Sequence, residues 1–264
     1  MADPYLRMAR AQVRAQAQYR ASFTLDVVGS ALLTAIEAGS VFVLFSVRGE
    51  LGGFTGREVL LITALAALAF PLADLAVGDI DRLRIYVRTG LFDAVLVRPL
   101  SALGQLLVIN FAPRRVGRVV QGLALYVVAL AVAGIDWTPG RALLAVLAPA
   151  AGALLFASVF VGTSTVAFYW IESGELANAF TYGGRDFTAY PITMYGDWFR
   201  KVFAFGLGFA FVAYLPALAL LGRPDPLGTP GWLHWCSPLA ALLAAALAGL
   251  FWRIGVRHYR STGS

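Results

Sequence analysis

The chain has few of the residues that build metal centres, disulfides or nucleophilic active sites. Its 264 residues include one cysteine, Cys236, and two histidines, His234 and His258. One cysteine excludes both an intrachain disulfide and a cysteine cluster for zinc. No G-x-x-x-x-G-K-[ST] phosphate loop occurs, because the only lysine, Lys201, follows an arginine. We therefore expect no metal, no cofactor, no catalytic residues and no ATPase site in this chain.

Charge is also scarce. Charged residues make up 14% of the sequence, whereas soluble domains usually carry about 25%. Hydrophobic residues make up 59%, which leaves too little polar surface to cover a water-soluble globule, so we expect the bilayer to be the solvent for most of the chain. Positions 1–22 contain no apolar stretch typical of a cleavable signal peptide, and the first span is expected to be retained.

The long apolar segments predict six transmembrane helices. Inside hydrocarbon only a helix satisfies its own backbone hydrogen bonds, so these segments are expected to be helices rather than strands. The predicted spans are 23–47, 59–77, 119–134, 142–170, 202–221 and 238–254. Residues 4–22 have a weak apolar face opposite several arginines, which predicts an interfacial amphipathic helix. The expected fold is an all-α integral membrane protein with a single domain over residues 1–264.

The basic residues predict how these spans are oriented. If the N-terminus lies in the cytoplasm, the outer loops carry only Arg48, Arg57, Arg141 and Arg223. All other basic residues then lie on the cytoplasmic side, as the positive-inside rule requires. Both termini and the segments 78–117 and 171–201 are therefore expected in the cytoplasm. The net charge of +6 comes from basic residues between the apolar segments, where they set the orientation of the spans, so we expect no nucleic-acid partner.

Residues 78–100 are the most charged part of the chain, yet apolar residues recur there at helical spacing. The apolar positions include Ile80, Leu83, Val87, Leu91 and Val95, with aspartates and arginines on the opposite side. Gly90 is expected to separate two short helices. The pattern predicts a structured cytoplasmic element with an apolar face for a partner. That partner could be another protein, the membrane surface or the rest of this chain.

Two sequence motifs resemble those of a known family. The run TGLFDAVLVRPLS, residues 89–101, resembles the cytoplasmic loop of bacterial type 2 ATP-binding-cassette (ABC) permeases, the membrane domains of exporters. The run AYPITMYGDWFRKVFAFGLGFAFVAYLPALALLG, residues 189–222, resembles a second motif of one subgroup. The chain length, the six predicted spans and the surface helix before the first span are also similar to the family.

This resemblance implies a function that composition alone does not give. It implies that two permeases, identical or related, pair in the bacterial inner membrane, and that separate ATPase subunits bind ATP. Residues 78–100 would form the coupling helix that docks into the ATPase, and membrane lipids would surround the spans. The coupling residues that it implies are Arg88, Gly90, Leu91, Phe92, Asp93, Leu96, Arg98 and Pro99.

Glu37 lies near the middle of the predicted first span, where a charge costs roughly 2.5–3.5 kcal/mol. It is expected either to line the translocation path or the permease interface, or to be a neutral acid bonded to a neighbouring helix. Two other functions stay open from the residues alone: an ion-coupled secondary transporter, or a membrane scaffold for a cytoplasmic partner. The secondary transporter is disfavoured because no histidine or lysine joins Glu37 in mid-membrane.

Overall fold

The computed structural model describes residues 52–109 and 115–260, together with isolated positions between 28 and 50. The predicted surface helix at 4–22, most of the predicted span at 23–47, and Glu37 lie outside the described residues. The described part folds into helices and contains no β-strand. The prediction of an all-α protein is therefore confirmed for this part of the chain.

We number the described α-helices in chain order. They are α1 (Gly56–Val77), α2 (Leu83–Arg88), α3 (Leu91–Leu96), α4 (Ala102–Ile109), α5 (Val116–Val132), α6 (Pro139–Thr165), α7 (Gly174–Thr188), α8 (Asp197–Phe199), α9 (Tyr214–Leu221) and α10 (Ser237–His258). Short 3-10 helices cover Gly78–Arg82, Val166–Phe168, Ile192–Met194, Phe209–Phe211 and Gly231–Trp235, and a π-helix covers Arg200–Gly206.

Three helical segments of the described chain are long and apolar enough to cross a bilayer. They are Gly56–Arg88, Pro139–Phe168 and Ser237–His258. A fourth is present if the bent pair Asp197–Gly206 and Phe209–Leu221 counts as one span. α5 is a shorter apolar helix. The chain is thus a membrane protein with several apolar helices, while the six spans and the cytoplasmic location of both termini remain predictions.

Close packing around α1 and α6 depends on glycines. A Cβ atom on Gly122 of α5 would lie 2.4 Å from the carbonyl oxygen of Ala67 in α1. A Cβ atom on Gly152 of α6 would lie 2.9 Å from the Cβ atom of Ala69. Small residues of this kind let membrane helices approach at the level of their backbones. α1 therefore contacts both α5 and α6 directly, and α6 in turn packs along α10.

The helix packing has two ends. We call the end that carries residues 78–100 the inner end, and the end that carries residues 52–55 the outer end, after the predicted orientation. α7 starts at the inner end, where Arg84 of α2 lies against Gly174. Just before α7, the carboxylate of Glu172 lies 3.8 Å from the guanidinium of Arg88.

The C-terminus of α7 lies at the outer end of the helix packing. The hydroxyl of Thr63 donates a hydrogen bond of 2.7 Å to the carbonyl of Ala189. The hydroxyl of Thr193 donates one of 2.9 Å to the carbonyl of Gly52. α7 therefore runs from the inner end to the outer end of the helix packing, while the cytoplasmic location of residues 171–201 stays a prediction. The sequence contains no long apolar segment at α7, because this helix is amphipathic rather than uniformly apolar.

The predicted fifth span at 202–221 is not one continuous helix. The chain turns at Gly208, whose φ of +80° is accessible to glycine, and the two halves meet at 68°. Phe209, next to the turn, packs on Phe156 in the interior of α6 with ring centroids 5.8 Å apart. Beyond the second half, Arg223 donates to the carbonyl of Gly53 at the outer end. The segment thus enters the helix packing from the outer end, turns at Gly208 and comes back to the outer end.

Candidate functional site

The element at residues 78–100 is two short helices joined by a tight turn. α2 ends at Arg88, and α3 begins at Leu91. Gly90 between them has a φ of +71°, in the left-handed region that favours glycine. The prediction that Gly90 separates two short helices is confirmed. We call residues 78–100 the loop element.

One side of the loop element is packed into the protein. Leu83, Val87, Phe92 and Val95 are all buried. The fully buried side chain of Gln105 donates from Nε2 to the carbonyl of Val95 at 3.0 Å and to that of Leu100 at 3.2 Å. These bonds fix the chain after α3 against the start of α4, so the loop element is an ordered structure held from several directions.

The other side of the loop element exposes apolar side chains. Leu91 is 53% exposed, Leu96 is 43% exposed and Val97 is 85% exposed. Together with Ile85, which is 49% exposed, they form what we call the exposed apolar face. The exposed residues Arg88, Arg98 and Pro99 flank this face.

The exposed apolar face differs from the apolar stripe that the helical spacing predicts. The spacing places Leu91 on the same side as Leu83 and Val87, but Leu91 is exposed while both others are buried. The turn at Gly90 changes the helical phase between α2 and α3, and Phe92 takes the inward position instead. Phe92 is fully buried, so it contributes to packing within the chain rather than to the surface.

A cluster of charges around two buried aspartates joins the loop element to α1 and to the start of α5. The guanidinium of Arg115 lies 3.2 Å from a carboxylate oxygen of Asp74 and 3.1 Å from one of Asp79. It also donates to the backbone carbonyl of Asp74 at 2.9 Å. Arg118 approaches the same carboxylate of Asp74 at 3.5 Å. We call these four side chains the charge clamp.

The charge clamp was not singled out from the sequence. Asp74 lies at the inner end of a predicted span, and Arg115 and Arg118 stand just before the next span. An acid at the end of one apolar helix and arginines at the start of its neighbour are the signal that could have indicated the pairing. Asp74 and Asp79 are only 4% and 7% exposed, so each needs a partner in place of water.

α7 presents a partly polar face to its surroundings. The exposed positions recur at helical spacing and include Glu175, Ala179, Tyr182, Gly183 and Asp186.

A cavity of about 230 Å³ lies between α1 and α7 toward the outer end. Its lining consists of Thr63, Ala66, Ala67, Arg185, Asp186, Ala189 and Tyr190. The guanidinium of Arg185 also lies over the ring of Phe70, 5.6 Å from its centroid. The cavity therefore combines small apolar residues with a cation and an anion inside a membrane protein, where charges usually mark a functional path.

Comparison with known families decides the class of protein. Residues 32–263 match the family described as ABC-2 family transporter protein. The chain belongs to this family. It is the permease of an ABC transporter, and the resemblance drawn from residues 89–101 and 189–222 is confirmed. Neither a curated protein nor a solved structure matches the permease significantly.

The residues that the resemblance assigned to ATPase coupling divide into three groups in the permease. Arg88, Leu91, Leu96, Arg98 and Pro99 are exposed on the loop element. Gly90 forms the turn. Phe92 and Asp93 contact the permease itself, because Phe92 is buried and Asp93 accepts a hydrogen bond of 3.0 Å from the hydroxyl of Tyr259. Tyr259 was missed, since nothing in its local sequence links it to the loop element.

Proposed function

We propose that this permease pairs with a second permease, identical or related, in the bacterial inner membrane, and that separate ATPase subunits drive export between them. The observation that carries the proposal is the exposed apolar face of the loop element. The family supports the general class, an ABC transporter permease. The exposed apolar face supports the assignment of the loop element as the place where an ATPase docks.

The surroundings of the exposed apolar face favour a protein partner over lipid. Arg88 and Arg98 flank it, and Arg88 faces Glu172 at 3.8 Å with both side chains about 70% exposed. Charges of both signs beside apolar side chains are typical of the rim of a protein interface. A short helix with exposed apolar anchors is also a recurring way to fill a groove on a partner. The proposed occupant is the ATPase subunit.

The exposed face of α7 is the best candidate for the lining of the translocation path. A helix that faces only lipid does not need Glu175 or Asp186, because charged groups are costly in hydrocarbon. If two permeases face each other through α7, these groups lie beside a shared aqueous path. The cavity between α1 and α7 adjoins the same face through Asp186.

ATP would act on this path through a two-state element. When the ATPase dimer closes on ATP, each docked loop element moves with it. That movement shifts the balance between inward-open and outward-open arrangements of the helices, because ATP binds one arrangement of the complex better than the other.

The proposal is tested by co-purification. The permease is expressed with its neighbouring genes and isolated in mild detergent, and bound ATPase is measured by immunoblot and by ATP hydrolysis. Leu96→Asp places a charge in the exposed apolar face and is expected to abolish ATPase binding. Arg257→Asp, which introduces an aspartate at an exposed position of the same end, is expected to retain it.

The outcomes separate the candidate functions. Loss of the ATPase in Leu96→Asp but not in Arg257→Asp supports docking on the exposed apolar face. Equal retention in both variants contradicts docking on this face. A permease that carries no ATPase at all contradicts the proposed function and favours a scaffold or an ion-coupled transporter.

A further inference from the structure

The residue that follows α10 is bonded to the loop element. Tyr259 comes directly after His258, the last residue of α10. Its hydroxyl donates a hydrogen bond of 3.0 Å to the carboxylate of Asp93 in α3. Hydrogen bonds to an ionised group are roughly twice as strong as those between neutral groups. This bond ties the inner end of a membrane helix to the element proposed to receive the ATPase.

Aromatic packing supports the same contact. The ring of Phe92 lies 4.9 Å from that of Tyr259 and 5.1 Å from that of Phe168, between centroids. Phe168 also packs on Trp252 of α10 at 5.4 Å. We call Phe92, Phe168, Trp252 and Tyr259 the aromatic latch. Rings at these separations and tilted orientations attract one another beyond the area that they bury.

The inner ends of α6 and α10 are in direct contact beside the latch. A Cβ atom on Gly255 would lie 2.6 Å from the Cγ2 atom of Thr165 and 2.9 Å from the ring of Phe168. Contact this close couples the positions of the two helix ends, since protein interiors are close-packed. The latch therefore joins α3 to two membrane helices at once.

We propose that the Asp93–Tyr259 bond and the aromatic latch transmit movement of the loop element to α10. This inference rests on the proposed function, because it presumes that an ATPase moves the loop element. The charge clamp holds the loop element to α1 and α5, and the latch provides a separate attachment to α6 and α10. In this assignment Asp93 and Tyr259 are positioning residues that contact neither ATP nor the transported molecule.

The permease carries a natural reporter for the movement of α10. Cys236 is its only cysteine, and it stands immediately before Ser237, the first residue of α10 at the outer end. Its side chain is partly exposed. A bimane fluorophore attached to Cys236 reports on the end of α10 opposite Tyr259, without a new cysteine.

The experiment compares the fluorescence of labelled complexes of permease and ATPase before and after addition of ATP and vanadate. Tyr259→Phe removes the hydroxyl but keeps the ring within the latch. We expect this variant to bind the ATPase as the unsubstituted permease does, and to lose the nucleotide-dependent change at Cys236. Asp93→Ala, alone or combined with Tyr259→Phe, is expected to give the same loss, because each change breaks the hydrogen bond between Tyr259 and Asp93.

Tyr126→Phe is the matched control. The hydroxyl of Tyr126 donates a bond of 2.9 Å to the carbonyl of Ala145, between α5 and α6 and away from the loop element. This variant is expected to keep the response at Cys236. If Tyr259→Phe also keeps the response with the ATPase bound, the inference is overturned while the proposed function stands. If the unsubstituted permease binds no ATPase, both are overturned.

Discussion

Ion pairs at the inner end differ in exposure, and this decides how much each one stabilises the fold. Arg115 contacts the carboxylates of both Asp74 and Asp79, and its side chain is 16% exposed. Arg82 approaches Asp79 at 4.0 Å, and its side chain is 53% exposed. A buried carboxylate that loses its main partner is costly, whereas a long contact from an exposed arginine contributes little, because water already solvates that guanidinium and Asp79 keeps Arg115.

Substitution of Arg115 is therefore expected to be far more damaging than substitution of Arg82. Arg115→Ala should lower the free energy of unfolding by about 3–5 kcal/mol, because two buried carboxylates lose their guanidinium. Arg82→Ala should lower it by at most about 1 kcal/mol. Unfolding of the purified permease in detergent, followed by circular dichroism, measures both. Similar losses in the two variants would mean that Arg115 is not buried against these acids.

At the outer end, a chain of buried hydrogen bonds gives the permease a pH-sensitive residue. His234 is 4% exposed, and its Nε2 lies 3.2 Å from the hydroxyl of Thr229. Thr229 donates to the carboxylate of Asp225 at 2.5 Å. Burial lowers the pKa of His234, although the charge of Asp225 acts in the opposite direction.

Acidification is expected to loosen this outer region. Because the pKa of His234 is lower in the folded state, neutral His234 stabilises the fold above the unfolded-state pKa of about 6.5. That contribution is lost as the pH falls through the folded-state pKa. The melting temperature should drop between about pH 7 and about pH 5, within the range where histidines titrate. A His234→Gln variant should show a smaller drop, and an equal drop would assign the effect to other groups.

At the scale of helices, α5 and α1 approach each other at the level of their backbones. Gly122 is the residue that permits it, since a Cβ atom there would collide with the backbone of Ala67 and Leu68. In α10, a Cβ atom on Gly249 would meet nothing within 4 Å. Substituting each of these two helical glycines by alanine therefore separates the cost of overpacking from the gain in helix propensity.

Gly122→Ala is expected to destabilise the permease by about 1–3 kcal/mol, as overpacking usually does. Alanine favours the helix by up to about 1 kcal/mol relative to glycine, so the measured loss is a net value. Gly249→Ala should be neutral or stabilising. Thermal unfolding of the two variants in one detergent measures the difference, and a stable Gly122→Ala variant would contradict the backbone contact.

The helices that the sequence predicts well are those that are apolar along most of their length. The spans predicted at 59–77, 142–170 and 238–254 correspond to α1, α6 and α10, with boundaries shifted by a few residues. The sequence did not predict α7 as a helix packed along α1, because charges such as Arg185 and Asp186 are typical of a cytoplasmic segment. A tertiary contact, the ring of Phe70 beneath Arg185, provides one charge with a partner that no local pattern reveals.

The sequence predicted which segment forms the candidate site, but not which of its side chains form the exposed surface. Charge and apolar spacing over residues 78–100 indicated a structured element, and the family resemblance gave it a role. Which side chains face outward depends on the turn at Gly90, where the helical phase changes. The partners of the inward residues, Arg115 and Tyr259, are distant in sequence, so only the folded chain brings them to the loop element.

For the whole molecule, the decisive question is on which side of the membrane residues 189–196 lie. If α7 crosses, these residues share the outer side with the loop between α5 and α6. If residues 171–201 form one cytoplasmic segment, they share a side with the loop element. Single cysteines in a Cys236→Ser background distinguish the two topologies, because a membrane-impermeant maleimide labels only the side that it can reach.

Three positions give a matched set for this labelling. Gly196 is exposed, and a Cβ atom there would meet nothing within 4 Å. Asp136 is exposed in the loop before α6, and Thr89 is exposed in the loop element. In vesicles of defined orientation, Gly196→Cys is expected to label with Asp136→Cys and from the side opposite Thr89→Cys. Labelling of Gly196→Cys together with Thr89→Cys would place both on one side, and α7 would then not cross the membrane.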